Sequence, residues 1–205
     1  MSHNIPHIFY INLDKRTDRK TEIEQELQKF DLFNKSERFQ AIHTPDQGIL
    51  GCTQSHLAVL KLAKERNYPN ILILEDDFYF IISKEEFEDE LTQFFNENIP
   101  FDVCMISYNL KQSQPTEYPF LQKVIEGQTA SGYIVHKSFY DKIIDLYEEA
   151  VPLLQQTGEH WNYANDQVWK RLQPHSNWYA LTTRCGKQRP GFSDNSGQYQ
   201  EYADC

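Results

Sequence analysis

The stretch that most constrains this chain is ILILEDDFYF at residues 71–80: four aliphatic residues, three adjacent acids, then three bulky apolar residues. An unbroken aliphatic run has no polar face, so as a strand it must be covered on both sides, the environment of a parallel sheet between helices. In an open sheet of that kind, ligands bind beyond the carboxyl ends of the strands, and Glu75, Asp76 and Asp77 stand at such an end. Side chains alternate along an extended segment, which places Glu75 and Asp77 on one side and Asp76 on the other. Two carboxylates converging on one spot repel each other unless one is protonated or a cation is bound, and oxygen ligands suit Mg2+ or Mn2+. Two readings follow from the stretch alone: a cation-bridged nucleotide site, or a solvated turn at a strand end.

The flanking sequence supplies the helices. HIFYINL (7–13) reads as a strand and leads through DKRTD into a helix with Ile23, Leu27 and Phe30 on one face. RFQAIH (38–43) is a second strand, and Thr53 is the expected cap of a helix bearing Leu57, Leu60 and Ala63. Ser83 and Glu86 have the spacing of a capping box ahead of Phe87, Leu91 and Phe94. DVCMISY (102–108), KVIEG and ASGYIVH (within 123–136) read as three strands, and Ser138 as the cap of a helix with Ile143, Leu146 and Ala150. A further helical stretch after Pro152 holds Val168, Trp169 and Leu172, and NWYALTT (177–183) is a last strand. The alternation describes one α/β domain over all 205 residues, with 184–205 a loop or tail.

Composition narrows the partners. A net charge of −10 without a dense Lys/Arg cluster argues against nucleic acid, and a phosphate ligand in so acidic a chain needs a cation between it and the carboxylates. No run approaches the ~20 apolar residues of a membrane span, and the first residues lack a signal-peptide pattern, so a cytoplasmic protein is expected. Cys52, Cys104, Cys185 and Cys205 form no C-x-x-C pair, no His stands at zinc-ligand spacing from them, and isolated reduced thiols are expected.

Three blocks together resemble glycosyltransferase family 25: FYINLDKRTDRK (9–20), GCTQSHLAVLKLAKERNYPNILILEDDF (51–78), and TASGYIVHK (129–137) with ANDQVW (164–169) and QRPGFSDNSG (188–197). The resemblance spans nearly the whole chain, with Thr-Gln in the second block where small apolar residues are commoner. It implies a GT-A-type, Rossmann-like fold, with a mainly parallel sheet flanked by helices, in which Glu-Asp-Asp stands in for the Asp-x-Asp motif. It further implies a UDP-galactose or UDP-glucose donor, Mn2+ (or Mg2+) held by Glu75 and Asp77, and transfer of the hexose with inversion to a hydroxyl of a glycan or protein. A non-catalytic nucleotide-sugar or glycan-binding module on the same fold is the alternative.

Within that frame Asn12 and Asp14 suit the uracil and ribose, while Arg16 and Arg19, at a helix start, suit the diphosphate. Asp76 and His56 are assigned to the donor side, with a bond to a neighbouring carbonyl or to Glu75 as the other reading of His56. Inversion needs a base for the acceptor hydroxyl, and Asp166 is the candidate, with a helix cap as its other reading. Lys187, Gln188, Arg189, Ser193 and Asp194 resemble the family's C-terminal signature and are expected to close over the diphosphate. Tyr133 and Trp161 are aromatic candidates for a sugar platform, with core packing favoured for Tyr133.

Overall fold

The structure, a computed structural model, describes residues 5–195 and 197–201. The chain runs β1 (Ile8–Asn12), α1 (Thr17–Lys29), β2 (Ser36–Gln40), α2 (Gly48–Glu65), β3 (Asn70–Glu75), β4 (Phe78–Phe80) and α3 (Lys84–Asn96). It continues through β5 (Val103–Pro115), β6 (Leu121–His136), α4 (Tyr140–Thr157), the single turns α5 (His160–Tyr163) and α6 (Asn165–Val168), then β7 (Trp178–Leu181), β8 (Gly186–Gln188), β9 (Gly191–Ser193) and β10 (Gln198–Gln200). Among the described residues, six strands form one sheet in the order β2-β1-β3-β6-β5-β7. β1 is parallel to β2 and β3, and β5 to β7, while β6 runs against its neighbours. The sheet is therefore mainly parallel, as the two-sided burial of the aliphatic run requires.

The four aliphatic residues of β3 divide between two cores. Ile71 and Ile73 pack with Val59, Leu60 and Ala63 of α2 and Ile143 and Tyr147 of α4; Leu72 and Leu74 pack with Ile23 and Leu27 of α1 and Phe87, Leu91 and Phe94 of α3. Full burial of such a side chain stabilises by about 1.5–3 kcal/mol, so β3 is a fixed axis from which the acids project. The capping box opens α3 as expected: Ser83 Oγ accepts from Glu86 N at 3.1 Å, and Glu86 Oε2 accepts from Ser83 N at 2.8 Å.

Several boundaries differ from the sequence reading. α2 starts at Gly48, so Thr53 lies inside it rather than capping it. The early start depends on Gly51, where a Cβ would lie 2.3 Å from Ile42 O and 2.7 Å from Thr44 Oγ1. The buried Thr53 hydroxyl instead donates to Ile49 O at 3.0 Å and accepts from Asn165 N at 3.2 Å, tying α6 to α2. KVIEG and ASGYIVH belong to one strand, β6, whose pairing with β5 shifts register between Gly132 and Gln128, where Thr129 takes φ 80°. Ser138 lies in a short 3-10 turn, and α4 runs through Pro152 to end at Gly158, whose φ of 70° lets its N–H bond Leu154 O at 2.9 Å. The second strand begins at Ser36, earlier than expected.

The segment expected to be a loop or tail is instead built onto the body. β8 pairs antiparallel with β4, and β9 with β10. Gly186 permits the first of these pairings, because a Cβ there would lie 2.2 Å from Phe78 Cζ and 2.8 Å from Tyr79 O. Gly186→Ala is expected to lower stability by about 1–3 kcal/mol through overpacking, read as a lower midpoint in urea; a wild-type midpoint would show that β8 does not depend on this approach.

Candidate active site

After β1 the chain leaves through α1 to β2 on one side, and after α2 it re-enters at β3 on the other, so the β1/β3 boundary is the switch point of the sheet. The parallel register sets Ile11 beside Glu75, which brings Asn12 level with the acids that follow. Asn12, fully buried, donates from Nδ2 to Asp76 Oδ2 at 2.8 Å and to Arg16 O at 3.0 Å, and its Oδ1 accepts from Arg38 Nε at 2.9 Å. Arg19 on α1 reaches Asp76 Oδ1 at 3.1 Å and Asp77 Oδ2 at 3.3 Å.

The expected alternation holds for the first two acids. Glu75 lies on the α2 side, where its Oε1 is 3.1 Å from His56 Nε2 and 3.5 Å from Cys52 Sγ. Asp76 lies on the α1 side with Arg19. β3 ends at Glu75, so Asp77 sits in a turn and does not simply follow Glu75. It shares Arg19 with Asp76 and Gln188 with Glu75, Gln188 Nε2 standing 3.4 Å from both Glu75 Oε2 and Asp77 Oδ2. Asp76 is therefore not turned away: all three acids line one cleft of about 540 Å3, together with Lys15, Cys52, Ser193 and Asp194.

The charges in this cleft are not balanced by the described residues. Burial first, and the Glu75 charge second, push the Asp77 carboxyl up to about 8, and its buried Oδ1 has no hydrogen-bond partner among the described residues. Burial also raises Asp76 against the pull of Arg19 and Asn12. Burial works to raise Glu75 as well, but His56 and then Cys52 more than offset it and hold it below the usual carboxylate value. An all-oxygen donor pair, one member with an unsatisfied buried oxygen, fits a hard divalent cation such as Mn2+ or Mg2+. Glu75 and Asp77 are the residues that could hold it.

A second cleft of about 520 Å3 shares Cys52, Glu75, Gln188, Ser193 and Asn195 with the first, so the two meet over Glu75 and Gln188. It contains Asp166, Gln128, Asn165, Gln167 and Trp161, the last 61% exposed. Asp166 lies in the first turn of α6 and is not its cap. Its Oδ2 accepts from Thr129 N at 3.1 Å and its Oδ1 from Gln167 Nε2 at 3.2 Å, while burial raises its carboxyl. Thr129 holds a φ that β-branched residues rarely adopt, and the bond to Asp166 comes from the N–H of that same residue.

The remaining sequence candidates fall in different places. Asp194 lines the first cleft with Lys15 at 2.8 Å and Arg16 at 2.6 Å; partial burial opposes them, yet these two cations hold its carboxyl low. Arg16 itself grips Asp18 and the Phe192 carbonyl, pinning β9 rather than facing the cleft. Asp14 is exposed and paired with Arg38. His56 is fully buried mid-helix, lines neither cleft and reaches them through Glu75. Lys187 and Arg189 face outward over the Tyr79 ring, away from the acids, because strand alternation sends Gln188 inward. Tyr133 is core, its hydroxyl 2.8 Å from His56 Nδ1, so it offers no sugar platform.

Sequence reasoning missed Lys15, Arg38 and Thr129. Arg38 had a signal in the pairing of β2 with β1; the φ of Thr129 had none. It also missed the Cys52 and His56 pair, four residues apart and hence on one helical face.

The sheet order, the switch-point cleft and the acids at the end of β3 define a GT-A-type fold, the α/β architecture of nucleotide-sugar-dependent transferases. Residues 46–168 match the family described as "Glycosyltransferase family 25 (LPS biosynthesis protein)", and the chain belongs to that family. The fold is similar to that of a glycosyltransferase involved in the glycosylation of the major capsid of PBCV-1, at TM-score 0.54 and 12% identity over 85% of this chain and 80% of that one. It is also similar to A197 from STIV, at TM-score 0.51 and 15% identity over 95% and 93% of the two chains. Curated proteins give no match. Among the described residues no helix is long and apolar enough to cross a membrane.

The Asp77 shift has a measurable sign. Folded Asp77 keeps its proton up to about 8, whereas the unfolded chain releases it near 3.8, so metal-free protein loses stability as pH rises between these values. Asp77→Asn removes that slope, at most ~1.4 kcal/mol per pH unit. In chelator-treated protein the variant should match wild type near pH 4 and exceed it at pH 8, as read by urea unfolding; equal pH dependence would show that Asp77 titrates normally.

Proposed function

We propose that this family 25 glycosyltransferase transfers a hexosyl group, galactose or glucose, from a UDP-sugar to a hydroxyl of a glycan, with inversion. The observation that carries the reading is the wall of Glu75 and Gln188, with Asp77 and its unsatisfied Oδ1 on one side and a half-buried carboxylate, Asp166, on the other. Two clefts meeting at a common wall suit a donor and an acceptor that react where they meet.

In the first cleft Lys15 and Arg19 offer positive charge to the diphosphate, and Asn12 holds Asp76 and the start of α1 in place. Ser193 and Asp194 close over the diphosphate from the opposite side. A divalent cation held by Glu75 and Asp77 would supply Lewis-acid charge to the departing UDP. In the second cleft Trp161 offers a face to a sugar ring, and the amides of Gln128, Asn165 and Gln167 suit its hydroxyls, which favours a glycan over a protein acceptor. Asp166 takes the proton of the attacking hydroxyl. The N–H of Thr129 and the amide of Gln167 orient its carboxylate, and burial moves its affinity for a proton toward the working range of a general base.

The test is UDP release from UDP-galactose and UDP-glucose with Mn2+, with and without chelator. Chelator-sensitive release that rises with a glycan acceptor is expected; donor-dependent thermal stabilisation without release from any donor would instead identify a binding module. Asp166→Asn should lower transfer by about 10²–10⁴-fold while donor binding persists, and unchanged transfer would remove it as the base. Asp77→Ala should abolish the chelator-sensitive release, and wild-type release would remove the metal assignment.

A further inference from the structure

Beneath the wall between the clefts lies a second group of metal-ligating atoms. Cys52 and His56 stand on one face of α2, and the end of β3 presents Glu75 to that face. Cys52 Sγ is 3.5 Å and His56 Nε2 3.1 Å from Glu75 Oε1, and the three ligand atoms all lie within 4.8 Å of one another. A tetrahedral zinc ion with bonds of about 2.0–2.3 Å has ligand-to-ligand edges of roughly 3.3–3.8 Å, so small side-chain adjustments would admit one. The outer contact is also present. His56 Nδ1 lies 2.8 Å from the buried Tyr133 hydroxyl, and donating its proton there would leave the Nε2 lone pair facing Cys52 and Glu75. Cys52 lines both clefts, which gives an ion a route from solvent and leaves its fourth position open.

We propose that Cys52, His56 and Glu75 form a binding site for a borderline divalent cation of the Zn2+ or Co2+ class, separate from the all-oxygen pair of Glu75 and Asp77. One sulfur, one imidazole nitrogen and one carboxylate select such an ion over Mg2+ or Mn2+. Binding forms the metal–sulfur bond as the Cys52 thiol releases its proton to solvent through the clefts. Glu75 belongs to both groups, so an ion seated here withdraws it from the first cleft. That competition rests on the proposed function, whereas the site itself does not.

The test is titration of chelator-treated protein with Co2+, followed by near-ultraviolet absorbance. Wild type should develop a thiolate-to-cobalt charge-transfer band that Cys52→Ser loses and Asp77→Ala keeps. Co2+ should also slow alkylation of Cys52 in wild type, located by peptide mass spectrometry, a readout that does not depend on the folding of a variant. No band in wild type, the same band in Cys52→Ser, its loss in Asp77→Ala, or unprotected Cys52 would each overturn the proposal. Because Asp77→Ala disables the oxygen pair alone, failure of the transferase reading leaves these outcomes unchanged.

Discussion

Three adjacent carboxylates at the end of a fully buried strand must each be met by a different part of the chain, and the rest of the site follows from that electrostatic demand. α2 answers Glu75 with His56, β1 and α1 answer Asp76 with Asn12 and Arg19, and β8 answers Glu75 and Asp77 together with Gln188. Each donor is itself secured: Tyr133 holds His56, Arg38 holds Asn12, and the Phe192 carbonyl accepts from Arg19. The packing of both faces of the sheet thus converges on one short segment. The compensation is incomplete at Asp77, whose buried Oδ1 lacks a partner among the described residues and whose carboxyl is pushed up by burial and by Glu75.

The wall between the clefts puts one narrow set of residues in contact with two spaces. Glu75 and Gln188 look into both spaces, while Asp77 and Asp166 stand back from it on opposite sides. Asp166 is held directly by the N–H of the strained Thr129 of β6, and indirectly through the Thr53 hydroxyl on α2 that fastens the neighbouring Asn165. Strain of this kind persists where the surroundings overdetermine it, and here the surroundings are a core helix and a long strand.

Much of the scaffold was legible because it rests on periodicity. The aliphatic run of β3, the spacing of Ile23 and Leu27, and the Ser83–Glu86 capping box each answer to local rules and appear where those rules put them. What was not legible depends on partners far away in sequence. The start of α2 is set by the approach of Gly51 to Ile42, the single strand β6 by a register shift against β5 at Thr129, and the order in residues 186–193 by pairing with Phe78–Phe80 and by Arg16 and Arg19. The acids themselves were legible as a cluster. The presence of Asp76 in the same cleft as Glu75 and Asp77 was not, since alternation stops where the strand stops.

The strap of residues 186–195 also closes both clefts from a part of the chain that follows the six-stranded sheet. Gly48 lies so close beneath it that a Cβ would meet Asp194 O at 2.9 Å, and Gln188 supplies half of the shared wall. A chain emerging from the ribosome completes its six-stranded sheet once β7 is out, yet at that point both clefts still lack a side. The hydrophobic layers can therefore consolidate before the pocket exists. The walls that face the ligand spaces thus draw on a segment that lies outside the six-stranded sheet.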